Sequence, residues 1–238
     1  MSVTNFFMQI VKDVYSLGIS LNSRILVCMP HPDDEAVFIG GTLYKLFLGK
    51  IPTRVLTFSR GERSSLRYRL DKSADLGKVR SIELKNALKI LGIKDLKIFD
   101  FGDGNLKNRG EEILSCLRKE ISLYRPSHII TLEPNGIYGH PDHISLSKFV
   151  SEVSDPPVKT LYATVSINYI LPRQAIKLAE KVVKPSKPQF IMKLGLAASI
   201  KKLLALKSHQ SQFRFDMLHW QSFLFFLKNK MLSREYFL

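Results

Sequence analysis

Residues 24–35 read RILVCMPHPDDE, and the passage from branched apolar side chains into prolines and acids decides the fold. Residues 24–29 are a short apolar run bounded by polar punctuation, the pattern of a strand buried on both faces. Pro30-His31-Pro32-Asp33-Asp34-Glu35 then leads directly into Ala36, Val37 and Phe38, which open a helical pattern over 36–48. Pro32 suits a helix start, because the N–H it lacks would be unpaired there anyway. The turn is therefore stiff, and His31 and Asp34 can converge on one side of it with Asp33 between them. Taken alone, the motif reads equally as a helix cap, since Asp33 and Asp34 favour the positive end of a helix.

The same alternation continues outward. Strand-like runs follow at 53–58, 97–101, 128–132, 160–167 and 189–193, and helical patterns lie at 74–91, 111–124, 142–153, 196–207 and 215–228. Strands alternating with helices predict an α/β fold: a Rossmann-like, mostly parallel sheet with helices on both faces. No second boundary breaks the pattern, so 1–238 reads as a single domain. Within it, Phe6, Phe7, Ile10, Val11, Val14 and Leu17 make residues 1–21 an N-terminal amphipathic helix packed on the domain. In such sheets ligands bind beyond the carboxyl ends of the strands, where the strand order reverses.

A second loop repeats the device of the first. After 128–132 comes Glu133-Pro134-Asn135-Gly136-Ile137-Tyr138-Gly139-His140-Pro141-Asp142-His143, again entering a helix with proline near its first turn. Two of the chain's six histidines, His140 and His143, fall within four residues there. Zinc prefers imidazole and carboxylate, and a catalytic zinc keeps three protein ligands and one open position, so two histidines and one aspartate fit. His128 opens an apolar strand and His219 adjoins Trp220 in a helical pattern, which makes both packed or surface residues.

At these residues the sequence resembles the PIG-L/LmbE family of zinc-dependent de-N-acetylases, which remove acetyl groups from N-acetylglucosamine-containing substrates. The likeness rests on His31-Pro32-Asp33-Asp34-Glu35, Gly40-Gly41-Thr42, the Tyr138-to-His143 block and His209-Gln210-Ser211-Gln212. Arg80-Ser81-Ile82-Glu83 and Asp103-Gly104 add to it. The resemblance implies that His31, Asp34 and His143 hold Zn2+, or another divalent metal such as Fe2+. It further implies Asp33 as general base to a metal-bound water attacking the amide, His140 as stabiliser of the oxyanion, and Tyr138 as a mobile cover over the substrate.

The supporting residues carry two readings each. Asp142 orients His140 and keeps it protonated, or is an acid in a first helical turn. Arg80 and Asp103 hold sugar hydroxyls, although Arg80 and Glu83 also have the spacing of a helix-surface ion pair. Glu35 stands behind the ligands, or is an acid at a helix end. His209 is a surface histidine by default, and the resemblance makes it a structural or pocket residue.

Thirty-six Lys and Arg against 21 acids give a net charge of +15, attractive to phosphate, nucleic acid or an anionic membrane. No zinc-finger spacing or aromatic RNA-binding signature accompanies it, so no specific nucleic-acid partner is expected. Arg60, Arg63, Arg67, Arg69, Lys72 and Lys78 form a cationic segment, departing from the family where a glycine usually follows the Gly61-Glu62 pair. Folded over the site, it would select a phosphorylated substrate; otherwise it is a solvated loop. No run approaches the ~20 apolar residues of a membrane span. Cys28 and Cys116 lie in apolar segments and read as free thiols of a reducing, cytoplasmic compartment.

The expectation is a metal-dependent deacetylase acting on a small N-acetyl sugar, with or without an anionic aglycone, for which a homo-oligomer is compatible. The competing readings are an amidase for a different acyl group, and a non-catalytic basic module for membrane surfaces or nucleic acid.

Overall fold

The computed structural model describes residues 8–171, 173–215 and 221–238. In chain order its elements are β1 (Gln9–Val11), β2 (Ile25–Met29), α1 (Asp34–Leu48), β3 (Thr53–Thr57), α2 (Leu76–Leu91), β4 (Asp95–Ile98) and α3 (Gly110–Tyr124). There follow β5 (His128–Leu132), α4 (Gly136–Gly139), α5 (Pro141–Val153), β6 (Lys159–Thr164), α6 (Arg173–Leu178), β7 (Phe190–Lys193), α7 (Gly195–Ser208), α8 (Gln221–Lys228) and β8 (Arg234–Phe237).

One eight-stranded sheet runs in the order β1-β7-β8-β6-β5-β2-β3-β4. Neighbours are parallel except at β8, which is antiparallel to β6 and β7. From β2 the chain moves to β3 and β4 on one side, then returns to β5 and β6 on the other. The order therefore reverses between β2 and β5, whose exits carry the two histidine motifs.

The five residues of β2 are all buried, and their alternation assigns them to two cores. Ile25, Val27 and Met29 join the cluster under α1, α2 and α7, whereas Leu26 and Cys28 join the one under α3 and α5. Such a strand has no polar face, which is why it reads as a continuous apolar run. On the first layer Gly41 meets Leu194 so closely that any Cβ would collide with that side chain. Beside it, the Gly41 and Thr42 amides and the Thr42 hydroxyl donate to the Glu235 carboxylate at 2.7, 2.8 and 2.6 Å. Lys202 Nζ completes the set at 2.7 Å, with both charged side chains fully buried.

Two expectations need correction. The segment 1–21 is not an amphipathic helix in its described part: Gln9–Val11 pair with Phe190–Met192 as an edge strand, and only Tyr15–Leu17 form a short 3-10 turn. Apolar residues three and four apart suit either state, and a parallel partner 181 residues later decides for the strand. The strand expected at 97–101 lies at Asp95–Ile98, while Phe99 and Phe101 leave the sheet to pack on Phe58 at ring distances of 5.5 and 6.0 Å. Of the helix expected over 215–228, Gln221–Lys228 is helical and Phe215 is not, and residues 216–220, His219 and Trp220 among them, lie outside the described residues.

Candidate metal and catalytic site

The exit of β2 places His31. Its N–H donates to Asp34 Oδ2 at 3.0 Å, and its Nδ1 lies 3.2 Å from the same oxygen. His31 Nε2 faces away, 3.1 Å from Asp142 Oδ2 and 3.2 Å from Asp103 Oδ1. The exit of β5 supplies His143, whose Nε2 is 3.6 Å from Asp34 Oδ1. Asp34 thus stands between the two histidines.

His140 completes a compact nitrogen cluster. Ligand atoms of His31, His140 and His143 lie within 4.8 Å of one another, and the His140 and His143 rings stack at 4.4 Å. Imidazole nitrogens and carboxylate oxygens are the donors of zinc and ferrous sites. Here three histidines meet Asp33, Asp34, Asp103 and Asp142, all in buried or half-buried positions, with Arg80 as the cationic side chain among them. That excess of negative charge suits a divalent cation, so the residues present fit a metal.

Asp33 occupies the turn itself, with φ 113°, a conformation that L side chains rarely adopt. Its carbonyl accepts the Ala36 and Val37 amides at 3.0 and 2.9 Å, starting α1. Its carboxylate meets Arg80 Nη2 at 3.1 Å. Burial pushes the Asp33 carboxyl up to about 6, with the Arg80 charge pulling against it. A carboxylate near neutrality in a cleft is the tuning expected of a general base.

Arg80 reaches Asp33 from α2 through a glycine. Its Nη1 donates to the Gly61 carbonyl at 2.8 Å and its Nη2 to the Pro32 carbonyl. Gly61, at φ 64°, has no side chain because a Cβ there would sit inside the guanidinium. The helix-surface pair of Arg80 with Glu83 does not form: Glu83 instead accepts the Ser211 amide and hydroxyl at 2.8 and 2.7 Å.

Asp142 behaves differently from the expected partner of His140. Its carboxylate accepts the Gly104 and Leu106 amides at 2.7 and 3.1 Å and faces His31. Only its backbone N–H reaches His140, donating to Nδ1 at 3.2 Å. That bond makes Nδ1 an acceptor and leaves the proton of a neutral His140 on Nε2. Burial, reinforced by the charge of His31, brings His140 down to about 3, so the ring is neutral near pH 7. Burial also opposes ionisation of Asp103, yet its hydrogen bond to His31 and the charges of His31 and Arg80 hold it below the usual carboxylate range.

Most of the residues foreseen from sequence line one cavity of about 640 Å³: His31, Asp33, Asp34, Arg80, Asp103, Tyr138, His140 and His143. Asp142 sits behind them. Tyr138 lies over the histidines, with ring centroids 5.9 Å from both His140 and His143. Of the cationic segment only Arg63 lines the cavity. Arg67 is spent on the carbonyls of Asp71, Lys72 and Ala74, and Arg60 on Asp100 at 2.9 Å.

No sequence motif marks the opposite wall, where Leu66, Phe213, Phe225 and Phe226 face the cavity. Their helical or loop spacing reads as ordinary core. Glu62, whose Oε1 accepts the Asp103 amide at 2.8 Å, was likewise hidden in a charged loop.

The sheet, the switch-point loops and the His/Asp cluster define an α/β protein with a candidate metal site at the strand exits. Residues 26–154 match the family described as PIG-L, GlcNAc-PI de-N-acetylase, and the chain belongs to that family. It is an enzyme of the deacetylase class. The chain is 29% identical over 197 residues to a probable N-acetyl-alpha-D-glucosaminyl L-malate deacetylase 2 of Bacillus anthracis, covering 80% of this chain and 81% of that protein. It is also 29% identical over 207 residues to the diacetylchitobiose deacetylase of Thermococcus kodakarensis, covering 84% and 74%. Among solved structures, N,N'-diacetylchitobiose deacetylase from Pyrococcus horikoshii shares the fold, with a TM-score of 0.63 at 21% identity over 94% of this chain and 88% of that one. No helix of the described residues is long and apolar enough to cross a membrane.

Proposed function

We infer that the protein hydrolyses the acetamide of an N-acetylglucosamine-like sugar or sugar conjugate with a divalent metal, zinc, held by His31, Asp34 and His143. The observation that carries this reading is the meeting of two strand exits at the switch point. It sets Asp34 between His31 and His143, with Asp33 and His140 beside them in one cavity.

When bound, the metal supplies Lewis acidity, polarising the amide carbonyl and lowering the pKa of a water toward ~7. Asp33 takes the proton of the attacking water and passes it to the departing amine. Arg80 keeps Asp33 ionised and turned toward the cavity. His140, with its proton on Nε2, donates to the oxygen as negative charge develops. Asp142 and Asp103 receive the Nε2–H of His31, fixing the tautomer in which Nδ1 is the electron-pair donor. Asp103 and Tyr138 line the space left for the sugar.

The test is amine release from N-acetylglucosamine by metal-loaded protein, before and after chelation and re-addition of Zn2+ or Fe2+. Activity that survives complete chelation overturns the reading. His140→Ala separates the roles: it costs turnover by ~3 kcal/mol while metal stays bound, whereas His143→Ala loses the metal.

The apolar wall favours a second reading, an acyl group or aglycone larger than acetyl packed on Phe213, Phe225 and Phe226. A panel varying acyl length distinguishes the two. A phosphorylated aglycone finds Arg63 at the rim, and equal rates for phosphorylated and neutral N-acetylglucosaminides would remove that idea. Both cysteines are free, which supports a cytoplasmic location.

A further inference from the structure

We propose that Glu35 and His209 are positioning residues which lock the backbone of Asp33 in its left-handed turn, so that the C-terminal part of the chain sets the aim of the base. The proposal rests on the reading of Asp33 as general base.

The geometry is a closed ring. The Asp33 N–H donates to Glu35 Oε2 at 2.9 Å. The other oxygen of the same carboxylate, Oε1, receives His209 Nε2 at 2.9 Å across 174 residues of sequence. Glu35 and His209 are both fully buried. His209 follows α7, and the turn it opens carries Ser211, which is fastened through both its amide and hydroxyl to Glu83. Glu83 belongs to α2, one turn beyond Arg80, and Arg80 returns to Asp33 Oδ1 at 3.1 Å. Asp33 is therefore gripped twice: by its carboxylate through Arg80 and by its amide through Glu35.

A helix start does not need this apparatus. Asp33 and Asp34 already bring carboxylates to the first turn of α1, and a buried Glu–His pair is a costly way to add stability, because both groups give up water. What the pair supplies is a fixed amide at a residue whose φ of 113° is otherwise unfavourable. Relaxation of that angle would swing the Asp33 carboxylate out of line with the substrate carbonyl.

The experiment uses the full-length, metal-loaded enzyme with N-acetylglucosamine and reads kcat, KM, bound metal and thermal midpoint together. His209→Leu is expected to lower kcat ~10- to 100-fold, with KM within about threefold of wild type and metal content unchanged, since small misplacement of a catalytic group costs rates of that order. His209→Gln, whose amide nitrogen falls near the place of Nε2, recovers most of the kcat. In an Asp33→Asn background, His209→Leu produces no further loss, because the residue acts through a base that is already gone.

Wild-type kcat in His209→Leu overturns the proposal. So does a loss that His209→Gln fails to rescue, or one that persists undiminished in the Asp33→Asn background. If His209→Leu does not fold, Glu35→Gln, which keeps the volume but only one of the two acceptors, takes its place: wild-type kcat, or a loss that persists undiminished in the Asp33→Asn background, overturns the proposal. The two ideas fail separately: turnover retained by Asp33→Asn removes the base itself, whereas an inactive Asp33→Asn beside a fully active His209→Leu removes only the positioning pair.

Discussion

The guanidinium of Arg80 and the carboxylate of Asp33 meet at 3.1 Å, although one comes from the middle of a helix and the other from a strand exit 47 residues earlier. On the proposed role of Asp33, this contact bears on the pH at which its carboxylate ionises. Burial raises the carboxyl and Arg80 opposes it, leaving it at about 6. Arg80→Met removes the opposing charge, so the acidic limb of the rate profile moves to higher pH. Turnover falls at every pH below the new limb, and the deficit is greater at pH 6 than at pH 8. Profiles of kcat/KM for the two proteins check this; a uniform loss across pH would assign Arg80 to substrate binding instead.

Gly61→Ala tests the same contact without touching a charge. A methyl group there displaces the guanidinium. The variant should reproduce the direction of the Arg80→Met shift while retaining bound metal, as measured by elemental analysis alongside the rate profile.

Asp142 faces His31 and two amides, not the His140 ring. Carboxylates that receive the remote N–H of a metal-binding histidine are typically worth 10- to 100-fold in metal affinity. Asp142→Asn should therefore weaken metal binding by about that factor in a competition titration. Unchanged affinity with reduced kcat would return Asp142 to His140.

The buried Lys202–Glu235 pair is asymmetric: Glu235 receives four donors, of which Lys202 supplies one. Removing one partner of a buried ion pair costs ~3–5 kcal/mol. Glu235→Leu should fall in that range by urea unfolding, and Lys202→Met should cost less, because the carboxylate keeps three of its bonds. Equal losses would mean that the charge pair, rather than the amide contacts, dominates.

Neither thiol should react in the native protein. Burial pushes Cys28 far above the normal thiol range and Cys116 up to about 11. A thiol at 11 is only ~0.1% thiolate at pH 8. Alkylation counted by mass should give slow labelling before denaturation and two labels after it.

The part of the fold legible in the sequence is the part with strong local signals. β2 and β5 are buried on both faces, so their apolar runs stand out, and the helices between them keep a wet face that preserves the period. His31, Asp34, His140 and His143 sit in short motifs at strand exits, where sequence distance and spatial distance nearly coincide. β1 and β8 were hidden because each is three or four residues long and owes its state to partners far along the chain. The same holds for Glu83 with Ser211 and Glu35 with His209, whose contacts span 128 and 174 residues. Asp142 was assigned to its neighbour in sequence, when its carboxylate serves a residue 111 positions away.

The antiparallel strand β8 lies between β6 and β7, and β1 joins the sheet only through β7. The first described strand thus reaches the rest of the sheet through the last one. Without residues 234–237, β7 and β1 have no strand pairing to β6, β5, β2, β3 and β4, and Lys202 loses its counter-charge. The strand order thus departs from the chain order: β1 and β7 meet the other five strands edge to edge only through residues 234–237.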